Sequence, residues 1–305
     1  MTVSSNLSTF LSKRVENFSP ETGIAAPEAV VYRVSVEYDD EQNIYQKLTA
    51  FAQDPKAGSI TELIIGQFDT EAGGNSVEVV ETLIVLSNTF TNLKALFVGD
   101  ITFEECEISW INNTDMTPLL NAYPQLEHFQ VRGGQDLAFS NLQHDNLKTL
   151  IVETGGLYPN TLNDIMTASL PNLEKLHLWL GSENYGWDSS VEDLEPVLSG
   201  GQFPNLKHLG LMDSELQDEI AIAVCEAPVL EQLETLDLSM GILSDKGGEA
   251  LLNCAGIKQL QHLNLRRHYL SSEMMQQLQS LGISINLDEQ EEGDDEDDRY
   301  IEVSE

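Results

Sequence analysis

The stretch Phe203-Pro-Asn-Leu-Lys-His-Leu-Gly-Leu211 decides the fold of this chain. It carries the pattern Leu206-x-x-Leu209-x-Leu211. Leu209 and Leu211 alternate at the two-residue period of a strand, so both point one way while His208 and Gly210 point the other. A single rib of this kind cannot bury its apolar side alone and needs like neighbours stacked on it. The same spacing recurs along the chain. Val31, Ile60, Leu93, Leu126, Leu147, Leu173, Leu233 and Leu260 each open an equivalent rib. The nine first positions follow one another at 29, 33, 33, 21, 26, 33, 27 and 27 residues, a regularity that chance Leu usage does not produce. Ile283-x-Ile285-x-Leu287 reads as a last, degenerate rib.

Between the ribs the apolar period changes from two to about 3.6, the mark of helical returns. Helices are predicted over Gln42–Gln53, Val77–Leu86, Met116–Ala122, Leu162–Ala168, Val191–Leu198, Glu219–Cys225, Gly248–Asn253 and Ser272–Leu281. The unit opened by Leu126 has only 21 residues, and its return, Asp136 to Leu142, reads as extended or irregular. Stacked units of this kind predict an α/β leucine-rich-repeat solenoid: a horseshoe with a parallel β-sheet on its concave side and mostly helices on its convex side. Spacings near 27 to 29 with helical returns point to ribonuclease-inhibitor-like repeats. The leucine-rich template has Asn or Cys three residues after the last Leu of each rib. Gly155, Gly181, Ser214, Gly241 and His268 stand there instead, so a continuous Asn ladder is not expected.

Three segments follow. Residues 1–28, punctuated by Pro20, Gly23 and Pro27, are expected to form an irregular N-terminal arm or cap over the first rib. Residues 29–287 form the solenoid, with nine to ten repeats. Residues 288–305 hold 11 acidic residues and one Arg, and a like-charge block of that density repels itself into disorder. Within that tail Arg299-Tyr-Ile-Glu-Val303 is more apolar and is suited to dock back on the last repeat.

The charge narrows the partners. Fifty-one acidic against 15 basic residues give a net charge of −36, whereas phosphate backbones and anionic membrane surfaces recruit Lys and Arg. Nucleic acid and membranes are therefore not expected as partners; a basic protein is. No apolar run approaches the ~18 residues of a membrane span. Met1–Ser8 lacks a basic region followed by an apolar block, and Cys106, Cys225 and Cys254 are odd in number and far apart. A reduced, cytoplasmic setting is expected from these features, and a monomer.

Motifs of known chemistry are sparse. Leu198-Ser-Gly-Gly-Gln202 matches the signature pentapeptide of transporter ATPases, but there is no G-x-x-x-x-G-K-[ST] loop to accompany it. Its glycines are better explained as the end of a helix before Phe203-Pro204. No G-x-S-x-G, H-E-x-x-H, C-x-x-C or dinucleotide fingerprint occurs, and the acidic tail lacks calcium-loop spacing. No cofactor or metal is expected. A metal site from His177, His208 and His262 is disfavoured because the three do not share one rib position and, with strands ~4.8 Å apart, the Leu233 rib stands between two of them.

The concave face offers more. Strand alternation places Arg132, Glu153, Lys175, His177, Trp179, His208, Met212, Asp213, Asp237, Arg266 and Arg267 on it or at its edge, beside Arg33, Glu37, Glu62, Phe97, Asp100, His128, Gln130, Met240, His262 and Asn264. Four of the six histidines and five of the 15 basic residues face this way, against six acidic ones before the tail. The face is nearly balanced in a strongly negative protein, which suits a protein partner, with Trp179 as a candidate hot spot between His177 and Met212.

From about Leu147 onward the chain resembles a family of bacterial cytoplasmic leucine-rich-repeat proteins. The residues that carry the resemblance are Glu153-Thr-Gly-Gly-Leu157, Leu173-Glu-Lys-Leu-His-Leu-Trp-Leu-Gly181 with Tyr185-Gly186, and Leu209-Gly-Leu211. They continue with Asp213-Ser-Glu215, Asp218-Glu-Ile-Ala221, Leu236-Asp-Leu-Ser-Met-Gly241, His268-Tyr-Leu-Ser271 and Arg299-Tyr-Ile-Glu-Val303. The resemblance implies the repeat fold, a bacterial source and a cytoplasmic home; the family has no assigned activity to carry over. The expected function is a non-enzymatic protein-binding scaffold. Two alternatives stand beside it: an enzyme or enzyme subunit acting on a small molecule in the groove, and an acidic inhibitor or immunity-type protein of a basic enzyme.

Overall fold

The computed structural model describes residues 3–70, 74–293 and 298–304. Among them twelve strands form one sheet: β1 (Thr9–Phe10), β2 (Lys13–Asn17), β3 (Val30–Val34), β4 (Glu62–Ile65), β5 (Ala95–Val98), β6 (His128–Arg132), β7 (Thr149–Glu153), β8 (Lys175–Gly181), β9 (His208–Ser214), β10 (Thr235–Asp237), β11 (His262–Asn264) and β12 (Ser284–Asn286). Spatial order equals chain order throughout. Only β1 and β2 are antiparallel, and every later neighbour is parallel. Strands paired in this way need a crossover between them. Eight are helical: α1 (Ile44–Gln53), α2 (Val77–Val85), α3 (Thr117–Ala122), α4 (Pro159–Met166), α5 (Glu195–Leu198), α6 (Gln217–Glu226), α7 (Asp245–Asn253) and α8 (Ser272–Gln279).

From β4 on the ribs align as the sequence spacing predicts. At β3, however, Tyr32 and Val34, not Val34 and Val36, pair with Leu63 and Ile65, so the first rib is shifted by two residues and Val31 turns to the opposite face. Tyr32, Leu63, Leu96, Phe129, Leu150, Leu176, Leu209, Leu236, Leu263 and Ile285 are partners in succession across the sheet. A one-residue shift would turn this row out of the core, so the row itself holds the register. The helices bring Leu48, Phe51, Leu83, Leu119, Ile165, Val224, Leu251 and Leu278 onto the same side, giving one continuous core. Helix starts follow local chemistry: Asn43 and Gln46 make a reciprocal capping box on α1, and Ser244 and Ser271 cap α7 and α8. No helix among the described residues is long and apolar enough to cross a membrane.

The crossover from β6 to β7 has no helix, as the short unit requires. An extended chain advances about 3.3 Å per residue against 1.5 Å in a helix, so few residues suffice. Leu137, Phe139 and Leu142 are buried along it, and Ala138 bridges to Asp115. The missing Asn ladder is replaced by individual solutions. Asn113 donates to the carbonyls of Arg132 and Gly133. Gln217 donates to Leu211 O. The fully buried His268 accepts from Leu270 N–H and contacts Leu287 O.

The N-terminal arm differs from expectation. It is not irregular and does not stop at the first rib. β1 and β2 form a hairpin that extends the sheet, and β2 pairs with β3 from Arg14↔Val30 to Asn17↔Arg33. The arm crosses to the sheet face away from the helices, where Phe10 joins Val31, Ile64, Ala95 and Phe97 in a second, smaller core. Its ring stands edge-on to His128 of β6 at 5.2 Å. The cause is visible in the residues: Val31, Ile64 and Phe97 sit at positions that a solvated face would fill with polar groups, and they require a cover.

Candidate functional site

Two rows run along the face opposite the helices. One passes through Ala95, His128, Thr149, Lys175, His208, Thr235, His262 and Ser284; the next through Arg33, Ile64, Phe97, Gln130, Ile151, His177, Gly210, Asp237, Asn264 and Asn286. The two halves of these rows have different fates.

Over β3 to β6 the face is closed. Arg33 donates to Asp100 at 2.7 Å, to Leu7 O at 2.6 Å and to Asn17 at 3.0 Å. Asp100 also accepts from Leu7 N–H at 3.1 Å. Arg132 donates to Glu153 at 2.7 Å and to Ile101 O at 2.6 Å, and Gln130 donates to the other Glu153 oxygen at 2.6 Å. The Arg132 guanidinium also lies over the Phe97 ring, 5.4 Å from its centroid. Arg33, Asp100, Arg132 and Glu153 are all buried. Arg132 and Glu153, expected on a partner surface, are instead paired with each other beside the arm. His128 at the border is held neutral down to about pH 4, chiefly by burial.

From β7 to β12 most side chains of the two rows are half-buried, Gly210 and Asp237 are buried, and among the described residues no hydrogen bond ties the N-terminal arm to this half of the face. Lys175 titrates below the ordinary lysine range because it is partly desolvated. His177 is lowered to about 3, first by burial and then by the nearby Lys175 and His208. Its ring packs so closely on β9 that a Cβ at Gly210 would come within 2.9 Å, and its Nε2 has no hydrogen-bond partner. Burial lowers His208 as well. Asp237 accepts from Asn264 at 2.8 Å and Ser239 N–H at 3.1 Å, and His262 shares a 3.0 Å contact with Ser284. His208 and His262 share a row two strands apart, and His177 stands in the other row. At ~4.8 Å per strand they are too far apart for one ion bound at ~2 Å from each ligand. The half-face is therefore a neutral, imidazole-rich floor with one lysine and one carboxylate, in a protein of charge −36.

The remaining sequence candidates lie at the strand ends. Trp179 is 4% exposed and, with Met212, belongs to the continuous core rather than to an open surface. Asp213, Arg266 and Arg267 meet the C-terminal segment. Residues 294–297 and 305 of the tail expected to be disordered lie outside the described residues. Residues 288–292 are exposed but tied to the fold by Gln290 to Leu270 O, Glu291 N–H to His268 O and Glu289 to Arg266. Gln290 bridges to His268. Residues 299–304 do not dock on the last repeat alone but run back along the loops that follow β11 and β10 and the C-terminal end of β9. Arg267 and Tyr269 donate to the Tyr300 carbonyl. Glu302 N–H donates to Met240 O at 2.8 Å, and Val303 N–H to Asp213 at 3.0 Å. Glu302 takes a forked bond from Arg266 at 2.9 and 3.2 Å, and Ile301 and Val303 are buried. The Ser304 carbonyl passes so near Gly155 that a Cβ there would lie 2.5 Å away. Asp213, fully buried with one carboxylate oxygen unpartnered, is pushed well above the usual carboxyl range, mainly by desolvation. Nothing local in the sequence marks this contact except the alternation of Ile301 and Val303 with Glu302.

Sequentially ordered parallel strands and stacked crossovers define an α/β solenoid that fits a leucine-rich-repeat-like fold. Within that class, the chain belongs to the same family as a Bacteroides fragilis protein whose crystal structure was a structural-genomics target. The two are 34% identical, the match covers 89% of this chain and 76% of that one, and the TM-score is 0.82. An internalin from Listeria monocytogenes also aligns, at 14% identity over 84% of this chain and 60% of that chain; its TM-score of 0.38 is too low to bear on function. No protein-family model and no curated protein matches the sequence.

Proposed function

We propose that this chain is a non-enzymatic scaffold that binds another protein on the uncovered half of the sheet face, over β7 to β12. One observation carries this reading: the arm covers one half of a continuous face with apolar and buried ionic groups, while the other half keeps polar side chains that are mostly half-buried, with no cover among the described residues. Lys175, His177, His208, Asp237, His262 and Asn264 remain from the residues that alternation placed on this face, and Thr235 joins them. Solenoids use such extended faces for binding. In this reading the sheet lines the concave side of a horseshoe with helices on the convex side. The protein works as a monomer in a bacterial cytoplasm, and its net charge turns away nucleic acid and anionic membranes.

The test is affinity capture from native cell extract, comparing wild type with a Lys175→Glu, His208→Glu, His262→Glu variant. These residues are part-exposed, so the fold is expected to survive, as circular dichroism would show. Loss of the captured protein from the variant supports the reading; an identical captured set from both refutes it.

A further inference from the structure

The C-terminal segment is bound as an extended peptide is bound by a receptor. Its backbone uses four anchors: Tyr300 N–H on the Tyr269 hydroxyl, the Tyr300 carbonyl on Arg267 and Tyr269, Glu302 N–H on Met240 O, and Val303 N–H on Asp213. Its side chains alternate. Ile301 and Val303 are buried, while Glu302 takes the fork of Arg266 and Tyr300 is 68% exposed. Main-chain anchors with alternating side-chain pockets are how extended peptides gain affinity and specificity together. The bidentate Arg266–Glu302 pair selects a carboxylate at one position. The receptor side belongs to the C-terminal end of β9 and the loops after β10 and β11, far from residue 299 in sequence and complete without the segment's own residues.

We propose that this track is a peptide-binding site, filled in cis by residues 299–304, that takes in trans an extended segment of a partner protein with the pattern aliphatic–acidic–aliphatic. The acidic position is set by Arg266 and the flanking aliphatics by the burial of Ile301 and Val303. The site is separate from the open face and does not depend on its role. The cis segment acts as a competitor that a partner segment of like pattern must displace, at a high effective concentration because it is tethered.

The test uses the full chain carrying Ile301→Asp and Val303→Asp, which empties the track without shortening the protein. The probe is a fluorescent synthetic peptide with the sequence of residues 299–305. Binding is read by anisotropy and folding by circular dichroism. The emptied chain is expected to bind the peptide at least about ten-fold more tightly than wild type, whose own segment competes. Adding Arg266→Glu is expected to abolish that binding, and a peptide with Lys in place of Glu302 to restore it. A folded, emptied chain that ignores the peptide overturns the proposal, as does binding indifferent to the charge at Arg266. Should the emptied chain fail to fold, the single variant Arg266→Glu decides: it should prefer the Lys-substituted peptide over the natural one, and equal or reversed preference overturns the proposal. A wild-type dimer that grows with concentration and disappears in the emptied chain also overturns it, in favour of tail exchange between copies. Lys175→Glu leaves peptide binding unchanged, so failure here and failure of the open-face reading are distinguishable.

Discussion

The two ends of this chain lie on the same solenoid in opposite ways. The N-terminal arm enters the sheet as β1 and β2, adds the Phe10 ring to a second core, and is tied down by Arg33 and Asp100, both buried. The C-terminal segment adds no strand. It rests on loop carbonyls, one buried carboxyl group and an ion pair whose Arg266 side chain is 23% exposed. The arm has placed charges where water cannot reach them, so removing any one leaves another stranded. The segment's pair joins a part-exposed Arg266 to a Glu302 side chain that is only 9% exposed, so on losing Glu302 the guanidinium can still be hydrated. The first is part of the fold; the second has the contacts of a ligand.

The sharpest way to break that comparison is Asp100→Ala. It strips Arg33 and Leu7 N–H of their buried acceptor and is expected to cost about 3–5 kcal/mol, the range for breaking a buried ion pair. Urea denaturation measures it. A loss below about 1 kcal/mol, the scale of exposed pairs, would mean that the arm is as detachable as the tail.

The matching change at the other end is Ile301→Ala, expected to cost about 1–2 kcal/mol, at or below the low end for buried aliphatics, because its site is bounded by loops and not by the core of the solenoid. Hydrogen exchange should show increased exchange at Glu302 and Val303 N–H with the ribs still protected. A cost near that of Asp100→Ala, with exchange spreading into β9 to β11, would make the segment a structural cap.

The difference between the ends also explains which residues could be understood from sequence. The leucine rungs were legible because each rib repeats the same two-residue alternation and only one register buries them all. The helices were legible from the same logic at period 3.6, with ends at most four residues from those expected: two at Ile44, three at Pro159 and Asp245, four at Glu195. What alternation cannot say is whether something lies over a face. Arg132 and Glu153 do point away from the helices, and they are nonetheless closed off, because their neighbourhood includes an arm from the far end of the chain. A usable signal was present: Ile64 and Phe97 are apolar on a face expected to be wet. Asp213 was hidden for the same reason, since its partner is Val303, 90 residues away. Several stretches that carried the family resemblance, Glu153–Leu157, Asp213–Glu215, Leu236–Gly241, His268–Ser271 and Arg299–Val303, are distant in sequence and meet along the path of this segment.

The smallest expected effect is a slope with pH, and it sharpens what holds the segment down. Asp213 has a carboxyl group raised above its ordinary range, first by burial; Glu302 raises it further, while Arg267 and the N–H groups of Val303 and Glu302 oppose the rise. A group that binds its proton more tightly folded than unfolded contributes stability that is fully present below the unfolded carboxyl range, near 3.9, and is lost as pH climbs through the raised folded value. His128 and His177 act in the opposite sense: both are lowered by burial, so their contribution is present above about 6.5 and lost as pH falls towards 4 and 3 respectively. Asp213→Asn separates the two effects. The amide oxygen still accepts from Val303 N–H but cannot ionise, and the histidines are the same in both proteins and cancel in the difference. Denaturation over a pH series should give curves that lie closest at acid pH and separate as pH rises, with the variant the more stable. Parallel curves, or a variant weaker at every pH, would mean that Asp213 is ionised beneath the segment and compensated by Arg267; the segment would then be held by a buried charge, as the arm is.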